Sequence, residues 1–173
     1  MLTGKQTRNR SLTASHEHYL RAIWQVRVRQ GYARVTDVAR ELNIAPASLS
    51  VGIRPLVARN LIGHDVHRFL VLTTEGEAVA RKAHHRFVVA GTFLADVLGV
   101  PRDQALEEAC LLEHSLSETT AERLLDIVKL LRDDSEFRAF FQQRLQAYHR
   151  SCVPVAECST CDLACLAGET APA

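Results

Sequence analysis

The segment VTDVARELNIAPASLSVGIRPLVARNLI, residues 35–62, constrains this chain more than any other. Thr36 suits a helix N-cap, and Val38, Ala39 and Leu42 give one short apolar stripe. Asn43 tolerates the left-handed backbone that a sharp turn needs. Pro46 is acceptable at a first helical position, and Leu49, Ile53 and Leu56 supply the buried face of a second helix. Two short helices joined by a tight turn, with small polar residues on the second, make a helix-turn-helix. Pro55 removes an intrahelical bond, and Gly52 stands nearby, so the second helix is expected to kink or end early.

Such a helix can enter the major groove, about 12 Å wide. Pro46, Ala47, Ser48 and Ser50, at its N-terminal end, are candidates to touch base edges. Arg34, Arg54 and Arg68 are candidate phosphate clamps. A scaffold used only for protein contacts is the alternative, and charge argues against it. The 173 residues carry a formal net charge of +1. Yet residues 1–90 hold 14 Lys/Arg against 6 Asp/Glu, and residues 91–173 hold 7 against 14. A basic front and an acidic back suggest two modules, the first facing a polyanion.

Around this core, apolar spacing over Tyr19, Leu20, Ile23, Trp24 and Val26 predicts an amphipathic helix, capped by Ser15, with Glu17 in its first turn and Gly31 at its end. The residues GHDVHRFLVLT read as a two-stranded wing whose extended part includes Val66, with a basic turn at His67 and Arg68. Thr74 and Glu77 suggest a capping box for a long helix reaching Leu98, and Val100-Pro101 breaks it. A further helix carries Ala105, Ala109, Leu112 and Leu116. Thr119 and Glu122 suggest another capping box, and a last helix spans about Ser135 to His149. No apolar run approaches the roughly 18 residues of a membrane span, and the first residues lack the apolar core of a secretion signal. A cytoplasmic location is expected, with no membrane and no small organic substrate.

Two clusters carry ligand chemistry. In CLLEH, residues 110–114, helical spacing puts Cys110, Glu113 and His114 on one face, as a divalent transition-metal site requires. The tail holds Cys152, Cys158, Cys161 and Cys165. Four thiolates at this spacing suggest an iron–sulfur cluster or Zn2+, with a plain reduced tail as the alternative.

Several separate segments, HEHYLRAI, GYARVTDVARELNIAPASLS, LVLTTEGEAVARKAHHR and EEACLLEHSLS, resemble in order and spacing the diphtheria-toxin-repressor family. The likeness covers about residues 11–131. It implies a mainly α fold: a winged helix-turn-helix DNA-binding domain (1–74), a helical dimerisation and metal-binding domain (75–150) and, outside the likeness, the Cys-rich tail (151–173). It implies a homodimeric repressor that binds double-stranded operator DNA when a metal is held. Carried over residue by residue, the metal ligands fall on His18, Cys110, Glu113 and His114. Cys110 stands where the iron-type branch has its cysteine. The positions of an ancillary site fall on Phe87, Gly91 and Leu106, which cannot ligate, so that site is expected to be absent. His84 and His85 are candidate substitutes. The extra SH3-like domain of the longest members is expected to be absent.

The ligand set is borderline-soft. Fe2+ ranks first on family grounds and Zn2+ second on ligand chemistry, with Co2+, Ni2+ and Mn2+ behind. The expected function is a metal-dependent, Fe2+-responsive repressor. The alternative is an iron–sulfur or redox-sensing regulator using the tail cysteines. An enzyme is not expected, since HExxH and GxSxG are both missing.

Overall fold

The computed structural model describes residues 12–151. The four tail cysteines and residues 1–11 lie outside the described residues. Helix α1 spans Ala14–Gln30. Thr13 starts it, not Ser15: the Thr13 hydroxyl accepts from the His16 backbone N–H, and the His16 ring accepts from the Thr13 backbone N–H. Gly31, at φ 85°, ends it in the left-handed region that glycine adopts without strain. Leu20, Ile23 and Val26 face inward and are fully buried.

Helices α2 (Val35–Glu41) and α3 (Pro46–Gly52) form the helix-turn-helix. Arg34, and not Thr36, is the N-cap of α2, with no side-chain cap bond. Asn43 takes the turn at φ 53°, and Pro46 stands in the first turn of α3. Val38, Ala39, Leu49, Ile53 and Leu56 join the core of α1. The expected break occurs. α3 stops at Gly52, and a separate short helix α4 (Arg54–Ala58) begins with Pro55 in its first turn, where its missing N–H costs nothing.

Strands β1 (Ile62–His64) and β2 (Leu70–Leu72) pair antiparallel, Ile62 opposite Leu72. The wing is shorter than its sequence suggests. Val66 is fully solvated in the turn rather than extended, because the Asp65 carboxylate accepts from the His67 and Phe69 backbone N–H groups and folds the tip.

Helix α5 spans Thr74–Thr92 and runs on through a π-turn at Phe93–Val97. Its N-cap is Thr73, one residue before the expected Thr74. Helix α6 spans Arg102–Leu112 and packs on α5 through Ala105 and Ala109. Helix α7 spans Glu118–Asp133 and is capped by Ser117, whose hydroxyl accepts from the Thr120 N–H, so Thr119 lies inside the helix. Helix α8 spans Ser135–Ser151.

The chain divides into two units, residues 1–128 and 129–173. In the first, α1 packs on α2, α5 and β2, and α5 packs on α6. The DNA-reading elements and the α5–α6 pair therefore share one unit. The second holds the end of α7 and all of α8; Leu131 is buried there, and Leu130, Phe137 and Phe140 are exposed.

Candidate DNA interface and junction site

The N-terminal end of α3 is open. Pro46, Ala47, Ser48 and Ser50 are all exposed, and the Ser50 hydroxyl donates to the Pro46 carbonyl at 2.9 Å. That bond leaves the Ser50 oxygen free to accept, while Ser48 keeps both capacities. Arg34, Arg54 and Arg68 are exposed, and among the described residues no carboxylate pairs with them. By contrast Arg29 pairs with Glu41, and Arg81 with Glu77. Arg34 lies over the Tyr32 and Phe69 rings, 5.0 and 5.5 Å from their centroids, which stiffens it without neutralising it. Arg54 shares a groove with Ser50, Val35 and His64, and Arg68 sits at the wing tip at φ 60°.

The second site lies where α1 meets the end of α6. α6 ends at Leu112, and Glu113 is its C-cap, still helical at φ −52°, ψ −33°. The i, i+3, i+4 spacing therefore survives the end of the helix. The Cys110 sulfur is 3.6 Å from His18 Nε2. His114 Nε2 is 3.5 Å from Glu113 Oε1, and His114 Nδ1 is 3.4 Å from Glu17 Oε2. His18 thus stands beside Cys110 and His114 beside Glu113, but among the described residues no three such donors come close enough to share one ion.

Between them lies a residue the sequence reading missed. Arg21, one turn after His18 in α1, is 4% exposed, and Glu113 is 0% exposed. Arg21 Nε donates to Glu113 Oε1 at 3.1 Å, and Nη2 donates to the Cys110 sulfur at 3.4 Å. Nη1 donates to Gln25 Oε1, and the guanidinium carbon sits 4.1 Å from the Phe87 ring centroid. Glu113 Oε2 lies 3.0 Å from Arg21 Nε but receives no hydrogen bond. Arg86 braces the same corner, donating to the Glu113 backbone carbonyl and to Glu17 Oε2, both at 2.7 Å. The signal for Arg21 was a charged residue inside the buried stripe of α1, between Leu20 and Ile23.

Burial governs the protonation of this corner. It pushes the Glu113 carboxyl up to about 7, although Arg21 and Arg86 pull it down. It pushes the His18 ring down to about 4, helped by the positive charge of Arg21 and by His114, so that ring is neutral. Burial also raises the Cys110 thiol against the pull of Arg21.

The donor types suit a borderline transition ion, but the arrangement does not fit one. Arg21 already holds Glu113 and Cys110, and a guanidinium keeps its charge at any ordinary pH. Among the described residues, the one orphaned buried side-chain oxygen, Glu113 Oε2, is 3.0 Å from that cation. The corner holds a built-in positive charge where the resemblance puts a divalent one.

The ancillary positions are apolar. Phe87, Gly91 and Leu106 line a groove with Val88, Thr92 and Ala95. The His84 ring packs at a tilt against Trp24, centroids 4.7 Å apart, and lies 3.4 Å from Gln25 Nε2, and His85 is exposed.

A winged helix-turn-helix with an open, arginine-flanked reading helix, joined by a buried corner to a helical pair, defines a DNA-binding regulator. Residues 11–65 match the N-terminal DNA-binding domain of the iron dependent repressors, and residues 73–136 match their metal binding and dimerisation domain. The HTH-type transcriptional regulator MntR of Bacillus velezensis is 30% identical over 122 residues, which is 70% of this chain and 85% of that one. The chain therefore belongs to the iron dependent repressor family, a family of metal-dependent transcriptional regulators and not of enzymes. Among solved structures, the T. acidophilum IdeR superposes with a TM-score of 0.58 at 27% identity, covering 68% of this chain and 54% of that one. The manganese regulator SloR shares the fold, with a TM-score of 0.60 at 24% identity, covering 68% and 55%. The chain thus spans about half the length of these solved relatives. Among the described residues no helix is long and apolar enough to cross a membrane.

Proposed function

We propose that this chain is a transcriptional repressor that binds operator DNA as a homodimer in the cytoplasm. α3 reads the major groove with Ala47, Ser48 and Ser50, and Arg34, Arg54 and Arg68 hold phosphates. The observation that carries this reading is the open end of α3 beside three exposed arginines without carboxylate partners. Phosphate contacts set affinity and position, and base edges set sequence.

In a twofold dimer the two reading helices must meet half-sites about one duplex turn apart. The α1–α6 corner sets their separation, because α1 is both the core of the reading module and the partner of Glu113. Exposed apolar side chains on α5 and α6, Val88, Leu106 and Leu111, supply the dimer face.

An ion at that corner would take His18, Cys110, Glu113 and His114 only once Arg21 had left Glu113 and Cys110. Fe2+ comes first, then Zn2+, Co2+ and Mn2+, on family likeness and on the softness of a thiolate and two imidazoles.

Titrating a selected duplex with wild type and Arg54→Ala over a range of salt tests the reading. Loss of one phosphate contact lowers the slope of log affinity against log salt by about 0.9 and weakens all sequences alike. An unchanged slope would remove Arg54 from the interface.

A further inference from the structure

Carboxylate, thiol and imidazole gain little from one another, and here Glu113 and Cys110 are held instead by a cation that belongs to the chain. The Arg21 guanidinium uses all three of its nitrogens: Nε on Glu113, Nη1 on Gln25 and Nη2 on Cys110. Its face lies on the Phe87 ring at 4.1 Å, so its fourth side is covered as well. At 4% exposure it has almost no contact with water. A buried guanidinium persists only where such partners replace its hydration. The Arg21–Glu113 pair links residues 92 apart in the chain, so it crosses from the reading module to the end of α6.

We propose that Arg21 is the resident cation of this corner: it joins α1 to the end of α6 without metal, and a divalent ion reaches Glu113 and Cys110 only by displacing it. The proposal rests on the repressor reading for its consequence on DNA, but not for its chemistry. The pairing has one point of weakness that makes displacement chemically meaningful. Glu113 Oε2 is buried and receives no hydrogen bond, so Arg21 satisfies only one of the two carboxylate oxygens. Phe87 belongs to the same device. A flat aromatic face beneath the guanidinium holds it by a cation–π contact that a spherical, hydrated ion would not exploit in the same way.

Two measurements test this. The first needs no DNA. Co2+ titrations read by thiolate charge-transfer absorption compare wild type, Arg21→Gln and Arg21→Lys. Arg21→Gln is expected to bind Co2+ at least tenfold more tightly than wild type, with a stronger thiolate band, and Arg21→Lys to stay near wild type. Equal affinity in wild type and Arg21→Gln overturns the proposal. The second is duplex binding of wild type in a metal chelator and in saturating Mn2+, Zn2+ or anaerobic Fe2+. Wild type is expected to change by less than threefold, and Arg21→Gln to lose at least tenfold in chelator and recover with metal. A tenfold or larger gain of wild type on adding metal overturns the proposal while leaving the repressor reading standing. No duplex binding by any variant sinks the repressor reading, and the Co2+ titrations alone then decide the role of Arg21.

Discussion

Arg21 and Glu113 form a buried ion pair, and removal of either partner leaves the other charge without compensation. Glu113→Ala is expected to cost about 3–5 kcal/mol of folding stability, measured by urea unfolding. Glu113→Gln, which keeps an acceptor for Arg21 but not the charge, should cost less; equal losses would mean that the carboxylate's charge, and not its hydrogen bond, holds the corner. Acid acts through a different residue. Burial against Trp24, with the nearby charges of Arg21 and His85, holds the His84 ring below its usual 6.5. The folded state therefore favours the neutral ring. The stability His84 contributes is present above pH 6.5 and is lost as the pH falls below it through the lowered folded value. The fall in melting temperature from pH 7 to pH 5 should accordingly be smaller in His84→Phe than in wild type. An identical fall would show that His84 titrates alike in both states. Helical spacing grouped Cys110, Glu113 and His114 and family likeness added His18; in the structure His18 lies beside Cys110 and His114 beside Glu113. Arg21 was not legible, because a basic residue in a helix is usually solvated and nothing local shows which neighbours will enclose it.

Periodicity shows which face of an element is buried, while ends depend on single hydroxyls and close approaches. Adjacent candidates explain three shifted helix starts. Thr13 caps where Ser15 was expected, Thr73 where Thr74 was, and Ser117 where Thr119 was. In each case several hydroxyls stand within three residues, and only the backbone geometry selects one. Pro55 with Gly52 was unambiguous, and the helix divides there. The start of α5 also presses on the wing. A Cβ added at Gly76 would overlap the Leu61 backbone carbonyl, which cannot move aside as a side-chain tip would. Gly76→Ala is therefore expected to be the more damaging change there, and Thr73→Ala to cost about 1 kcal/mol for its lost cap. Thermal unfolding of both variants checks the order; a harmless Gly76→Ala would mean that α5 can slide off β1.

At the scale of the whole molecule, the basic front of the chain holds the DNA-binding family domain, residues 11–65, while the dimerisation domain, residues 73–136, starts within that front and runs into the acidic back. The grouping of α5 and α6 with the reading elements in one unit was less legible, because α1 carries contacts to both and its stripe does not say which face meets which partner. Leu111, at 75% exposed, is the apolar residue of α6 most open to a second copy. Leu111→Asp should shift the proposed dimer toward monomer in sedimentation equilibrium and weaken duplex binding in parallel; an unmoved equilibrium would contradict the proposed dimer face.

The central claim is that the α1–α6 corner sets the grip of a twofold pair on DNA. Selection from a randomised duplex pool, followed by titration of the enriched sequence with wild type and Glu113→Gln, tests it most directly. The prediction is an inverted repeat with half-sites about one duplex turn apart, bound at least tenfold more weakly by a folded, dimeric Glu113→Gln. No enriched repeat, or equal binding by the two proteins, would contradict it.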